Sequence, residues 1–272
     1  MALITLTHTV GSGALEIARR VADRLNVEIY DDVRLKEEAL RMGLHAEELQ
    51  GFDEKAPDWF ERLWSNKPDV YLHLMESVIF EAARLGEGVI VGHGSQVLLH
   101  DFGCAMHVLV TVREESRIHN LMHEMNLSRD AAWRLIQKSD AQKSGYFKYA
   151  FNKDWSDPAL YDLCINSDKI GTERAAQLVF DMARSPEVRA CSIYARDALE
   201  RLSQTKRIEA LLLGMDLRHA GLKVEIPEKG VAQISGVLFK HEDKGRIPEI
   251  VSKIPGVEKV QMDVTLMPAT YE

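Results

Sequence analysis

Cysteine is scarce in this chain, and what there is forms no pattern. The 272 residues contain three, Cys104, Cys164 and Cys191, widely spaced. They make no CxxC pair and no zinc spacing, so the expectation is three buried free thiols and no metal site built on cysteine. Positive charge is also short. Lys and Arg number 34 against 42 Asp and Glu, a formal net charge of −8. A nucleic-acid surface usually needs a basic field, so the balance argues against long polyanions, and no nucleic-acid partner is expected, but it leaves a nucleotide held by a few local cations. Long apolar runs are missing as well. No stretch approaches the ~20 residues of a membrane span, and the first residues lack the basic and apolar regions of a secretory signal. These absences argue against a membrane and make the reducing cytoplasm the expected location.

One further absence lies inside the most informative segment. Leu3-Ile4-Thr5-Leu6 reads as a short buried strand, Gly11-Ser12-Gly13 as a turn, and Ala14 to Leu25 as an amphipathic helix. Strand, Gly-rich turn and helix is the geometry that cradles phosphate, because glycine lets the backbone approach and the helix N-terminus aims free N–H groups at the anion. The loop lacks the Lys of a full GxxxxGK(S/T) phosphate loop, and Leu15 stands about where that cation is expected. It also fails the GxGxxG fingerprint, because Glu16 holds the place of the third glycine. On these residues alone, a phosphate site and a plain tight turn are both open.

What is present in quantity is core. Hydrophobic residues make up 46% of the chain, and its length fits one large domain or two unequal ones. Residues 26–30 suggest a second strand, 33–42 a helix, and 43–67 a mixed region with a short helix around Pro57, Trp59, Phe60 and Trp64. Pro68 opens a long helix over 69–85, which Gly86 ends. Gly88 to Gly92 is a continuous apolar strand, as expected where a parallel sheet is covered on both faces. Residues 106–112 form another strand, 114–125 and 128–139 two helices, 163–165 a short strand and 172–183 a closing helix. The stretch from Asp140 to Asp157 is polar and aromatic with little apolar periodicity. Strands alternating with helices predict a doubly wound parallel α/β sheet, with ligands at the carboxyl ends of its strands. Beyond a junction at 185–195 the pattern changes to helix (197–219), strand (223–226), strand (231–238), helix (243–253, with Pro248 inside) and strand (257–264). That order is a small α+β unit.

Several segments in combination carry a resemblance. The first loop, Tyr30-Asp31, Val89-Ile90-Val91-Gly92-His93-Gly94 and the run from Trp155 through Asp157, Tyr161 and Cys164 to Ser167 resemble, in the same order, the cytidylate kinase-like family, a branch of the P-loop nucleoside monophosphate kinases. The resemblance covers about residues 1–184. It implies a P-loop type sheet with a helical lid. It further implies that Gly11, Ser12, Gly13 and Ala14 wrap donor phosphates and that Asp31 lies near the acceptor nucleotide or the metal. Gly92 and Gly94 would frame the monophosphate pocket, and the segment 140–157 would close as the lid. The implied activity is transfer of a phosphoryl group from ATP, with Mg²⁺, to a nucleoside monophosphate such as CMP. Asp31, Lys143 and Asp157 are the candidate catalytic residues, and His8, Gly92, His93, Gly94, Arg117 and Tyr161 the candidates for substrate binding.

Set against the family pattern, expected cations are missing. His8, Leu15, Asp32 and His93 stand where basic residues are expected, and Lys143 replaces a lid Arg. Phosphoryl transfer is mostly positioning and charge neutralisation, and His offers only a partial charge near neutral pH where Arg offers a permanent fork. A non-catalytic nucleotide- or metabolite-binding protein is therefore the alternative reading. Arg117, Lys138, Lys148 and Lys153 are available replacements, each of which also reads as a solvated surface charge. Tyr146, Phe147, Tyr149, Phe151 and Trp155 read either as a stacking platform or as an anchor for the lid. His119 and His123 share a helix face, with no third metal ligand evident. Residues 222–227, 230–238 and 254–260 resemble the BON domain family, giving an expected division into 1–184, a linker 185–195 and a BON-like unit 196–272. That resemblance implies a binding or packing module, and a homo-oligomer fits it.

Overall fold

The computed structural model describes residues 2–42, 44, 68–188, 190–215 and 221–267. The short helix expected around Pro57 to Trp64, and the end of the helix expected to reach His219, lie outside the described residues.

Five parallel strands form the first sheet: β1 (Leu3–His8), β2 (Ile29–Tyr30), β3 (Gly88–Val91), β4 (Ala105–Thr111) and β5 (Leu163–Asn166), in the order β2-β3-β1-β4-β5. Every residue of β3 is buried, which its unbroken apolar run requires of a strand covered on both sides. Helix α1 (Ala14–Leu25) buries Ala14, Ile17, Ala18, Val21 and Ala22. That spacing puts one stripe against the sheet, and each large member contributes about 1.5–3 kcal/mol when fully covered. Asn26 ends α1 in the left-handed conformation that Asn tolerates better than most residues. Helix α2 (Asp32–Arg41) follows β2, and α3 (Pro68–Ala83) precedes β3. A one-turn helix, α4 (Ser95–Leu98), follows β3 and was not legible in the pattern.

Helices α5 (Glu114–Met125) and α6 (Arg129–Phe151) come after β4. Ser128 caps α6 by accepting from Ala131 N–H, worth about 1 kcal/mol. One expectation fails here. Residues 140–151 do not form an irregular segment after a helix ending at 139; they are the second half of α6. The apolar periodicity is weak there because the buried face is built from Lys143, Tyr146 and Phe147 rather than aliphatics. A single 3₁₀ turn (Pro158–Leu160) leads to β5, and α7 (Gly171–Ala183) packs on α1.

The three cysteines also differ from expectation. Cys104 and Cys191 form a disulfide across 87 residues, and Cys164 is a free, exposed thiol. Spacing alone could not show this, because the pair is brought together by the turn before β4 and the segment after α7.

Helix α8 (Ile193–Gly214) lies against α3. Ser203 donates to the carbonyl of Ser77 at 2.9 Å, and Lys206 sits between Glu76 and Glu209, 3.1 Å from each. Burial alone would push the Glu76 carboxyl up, but the His73 hydrogen bond and the Lys206 charge outweigh it and hold it below the usual range. The second sheet has β6 (Lys223–Glu228) antiparallel to β7 (Val231–Leu238) and β8 (Lys259–Leu266) parallel to β7. Helix α9 (His241–Val251), with Pro248 inside it, connects β7 to β8. Ile208, Ala232, Ile234, Leu238, Ile247 and Val251 form a core of its own under this sheet.

Candidate functional site

The carboxyl edge of the first sheet gathers most of the sequence candidates. Leu6 of β1 pairs with Val91 of β3, so His8 and His93 each lie two residues past that pair on adjacent strands. The loop from Thr9 to Gly13 leaves β1 and turns into α1, with Ser12 N–H donating to the Thr9 carbonyl at 3.2 Å. Gly13 caps α1 in the left-handed conformation with no side-chain hydrogen bond, so no side chain occupies the first-turn N–H groups as a capping residue would. Gly11 meets α5 closely: a Cβ there would lie 2.9 Å from the carbonyl oxygen of Arg117.

Three long side chains hold the loop through its carbonyls. Lys143 Nζ donates to the His8 oxygen at 2.6 Å, Arg117 Nε to the Val10 oxygen at 2.8 Å, and Asn120 Nδ2 to the Gly11 oxygen at 2.9 Å. Arg117 also makes a two-pronged pair with Asp140, both contacts at 2.7 Å. Its guanidinium is buried, contrary to the solvated-charge reading, and Lys143 is buried as well, 5.3 Å from the ring centre of Trp155. Asn120 and Asp140 were missed from sequence. Asn120 lies three residues after Arg117 on one helix face, which is the signal that could have found it.

Several buried hydroxyl and amide groups at this edge lack a hydrogen-bond partner: Thr9 Oγ1, Ser12 Oγ, Ser95 Oγ and Gln96 Oε1. Buried polar atoms are nearly always satisfied, and orphans at one place mark a site for water, ion or ligand.

The remaining candidates are held by local bonds. Asp31 caps α2 by accepting from Arg34 N–H at 3.1 Å and lies 3.7 Å from Arg19. His93 Nε2 lies 2.9 Å from Asp32 Oδ1, so the acidic residue found where a cation was expected has a histidine partner. Gly92 and Gly94 flank His93 at positive φ. A Cβ on Gly94 would sit 2.4 Å from the Phe151 ring. Tyr146 donates to the His93 carbonyl at 3.2 Å, and Tyr146, Phe147 and Trp155 form a buried aromatic cluster with Leu109. The aromatics thus anchor the end of α6 to the sheet, one of the two readings open from sequence. Tyr161 donates to the Trp155 carbonyl and accepts from Gln96, and burial pushes its phenol up to about 12. Asp157 is exposed and caps the 3₁₀ turn through Ala159 N–H, apart from the loop contacts. His119 and His123 gather no metal set: among the described residues no group of three or more His, Cys, Asp or Glu converges.

A cleft of about 470 Å³ opens beside Ser12 and Gly13, between α5 and the start of α7. Glu16, Glu115, Glu124 and Asp168 line it, with His119 and Asn120, and no Lys or Arg does. Asp168 is tied to Arg113 and Ser116.

The family model of the "Cytidylate kinase-like family" matches residues 3–169. Three curated cytidylate kinases are similar. That of Pyrobaculum islandicum is 22% identical over 182 residues, covering 66% of this chain and 92% of that protein. That of Staphylothermus marinus is 24% identical over 181 residues, covering 66% and 94%. That of Methanocaldococcus jannaschii is 21% identical over 180 residues, covering 65% and 94%. Among solved structures, an uncharacterised protein from Eubacterium ventriosum superposes with a TM-score of 0.53 at 20% identity, over 66% of this chain and 97% of that one, which bears on the fold alone.

Proposed function

The chain belongs to the cytidylate kinase-like family, and from that premise we propose that it transfers the γ-phosphoryl group of ATP to a nucleoside monophosphate, CMP in the first instance. The observation that carries this reading is the orphaned Ser12 hydroxyl at the start of α1, in a loop whose carbonyls are fastened from behind by Lys143, Arg117 and Asn120. Carbonyls turned to side chains leave the loop's N–H groups other than those of Thr9 and Ser12, which bond backbone carbonyls, as the face for an anion. The acidic cleft beside Gly13 suits the uncharged end of a nucleotide, whose hydroxyl and amino groups donate to carboxylates.

The residues present also fit a Mg²⁺ ion carried in by the triphosphate. Mg²⁺ needs only one or two protein oxygens beside phosphate, and the unpartnered Ser12 hydroxyl would supply one. When bound, it would neutralise charge on the transferred group. The chain's own contribution is positioning. The loop orients the donor, and Lys143 and Arg117 must exchange backbone carbonyls for phosphate oxygens to stabilise charge. Asp31 would lie on the acceptor side. The division into 1–184, 185–195 and a BON-like 196–272 belongs to this proposal; the separate core under the second sheet supports a second unit, while Leu199 and Ala210 of α8 are buried in the core of the first. A cytoplasmic location belongs to it too, although the Cys104–Cys191 bridge is unusual in a reducing compartment.

The buried commitments of Lys143 and Arg117, with Leu15 in the loop, favour a second reading: a protein that binds a nucleotide or small phosphorylated metabolite without turning it over. Calorimetric titration of the full chain with ATP and CMP, with a coupled ADP-release assay on CMP, UMP and dCMP, separates the two. Turnover above background upholds the kinase. Binding without turnover upholds the second reading, and no binding removes both. In the same titration Leu15→Lys should tighten ATP about tenfold, since a new contact to a charged group is worth about 1.5 kcal/mol.

A further inference from the structure

The two edges of the second sheet are unlike. At one edge, β6 contains Pro227, which has no N–H to offer, and its register shifts between Glu225 and Glu228. Both devices block pairing with another strand. At the other edge, β8 runs for eight residues, Lys-Val-Gln-Met-Asp-Val-Thr-Leu, without Pro or Gly and in unbroken register with β7. Among the described residues it has no strand on its far side.

The direction of its free groups follows from the ladder. Lys259 N–H donates to the Gly230 carbonyl and Met267 N–H to the Leu238 carbonyl, both at 2.9 Å. In a parallel pair alternate residues bond the same neighbour. Odd-numbered residues of β8 therefore face β7, and Val260, Met262, Val264 and Leu266 turn their backbone groups outward. The side chains of those same four are only half-buried, packed against the edge of the core. The odd-numbered side chains are exposed on the opposite face.

Those exposed side chains are self-complementary. Lys259 and Asp263 lie four residues apart, about 13 Å along a strand, too far to pair with each other. Across β7 they face Val231 and Ser235, which carry no charge. In an antiparallel pairing of two β8 strands centred on Gln261, Lys259 of each copy lies opposite Asp263 of the other. The outward-facing Val260 and Met262 then exchange backbone bonds, and the charged pairs fall at the closer, non-bonded positions. The apolar row runs on across the seam on one face. A twofold pairing of this kind uses the same surface twice.

We propose that β8 is a homodimerisation edge: two copies of this chain join antiparallel through Lys259–Asp263 pairs into one continuous six-stranded sheet. The test is sedimentation or light scattering of the full chain over a concentration series. The wild type should dimerise. Asp263→Lys and Lys259→Asp, which set like charges opposite each other twice, should each weaken the dimer by at least about tenfold. The swap K259D/D263K should bring it back to within about threefold of wild type. Circular dichroism of each exposed-site variant checks that it is folded. A monomer at every concentration would overturn the proposal and assign the edge to a strand from elsewhere. A dimer indifferent to charge reversal, or one that the swap does not restore, would also overturn it.

Discussion

The ammonium of Lys143 donates to the carbonyl oxygen of His8 at 2.6 Å, although 135 residues separate them in the chain. A cation expected in a lid thus holds the strand end that feeds the phosphate-type loop. Arg117 does the same one step further on, at Val10. Positive charge is present at this edge, but in this conformation it serves the loop's backbone.

Lys143→Met should have two effects. It leaves the His8 carbonyl without its charged donor, at a cost of about 1–3 kcal/mol read by urea denaturation. On the kinase reading it also lowers ADP release on CMP about 100-fold or more, whereas Lys143→Arg should keep part of both. Full turnover in folded Lys143→Met would remove this residue from the mechanism.

Gly94→Ala should be destabilising by about 1–3 kcal/mol, because the new methyl meets the Phe151 ring and the backbone is at φ 72°. Phe151→Ala in the same chain should recover the steric part, so the two changes together cost less than their sum. Additive losses in chemical denaturation would show that the ring is not the obstacle.

His107 sets an acid-side limit. Burial holds its imidazole below the ordinary 6.5, against the smaller opposing pull of Asp162, and its Nδ1 lies 2.8 Å from Thr5 Oγ1. Between the folded and unfolded values the unfolded chain binds more protons, so stability falls as pH drops from about 7 towards 5. His107→Asn, which keeps a polar atom near the Nδ1 position, should flatten that part of the profile. Urea midpoints at stepped pH check it.

The Cys104–Cys191 bridge closes 87 residues and ties the segment before α8 to the base of the first sheet. Opening it should cost about 2–4 kcal/mol, seen as a lower thermal midpoint in dithiothreitol and in C104S/C191S alike. Mass spectrometry after alkylation of rapidly quenched cells should find it closed. Full alkylation at Cys104 would mean that the compartment keeps it reduced.

Much of the architecture was legible because it rests on local pattern. Val89 to Val91 reads as a two-sided strand, and Ile17, Val21 and their neighbours as one helix face, since period and burial are properties of a few adjacent residues. The strand Val231–Leu238 matched to the residue. The second half of α6 was missed because Lys143, Tyr146 and Phe147 make a polar-looking buried face, and β8 was set two residues early at its start and end. At the site, the loop at Gly11 to Gly13 and the edge shared by His8 and His93 were legible, while the partners of their neighbours were not.

The sequence by itself determined the alternating elements, the glycine turn without its lysine, and the resemblance that the family match bears out. The tertiary structure alone decided where the charges go. Lys143 reaches His8, Arg117 reaches Val10 and Asp140, and Cys104 meets Cys191 only after the strand order β2-β3-β1-β4-β5 has set distant segments side by side. A side chain's type fixes what it can bond, but only the fold fixes what lies within the 3 Å where that bond forms.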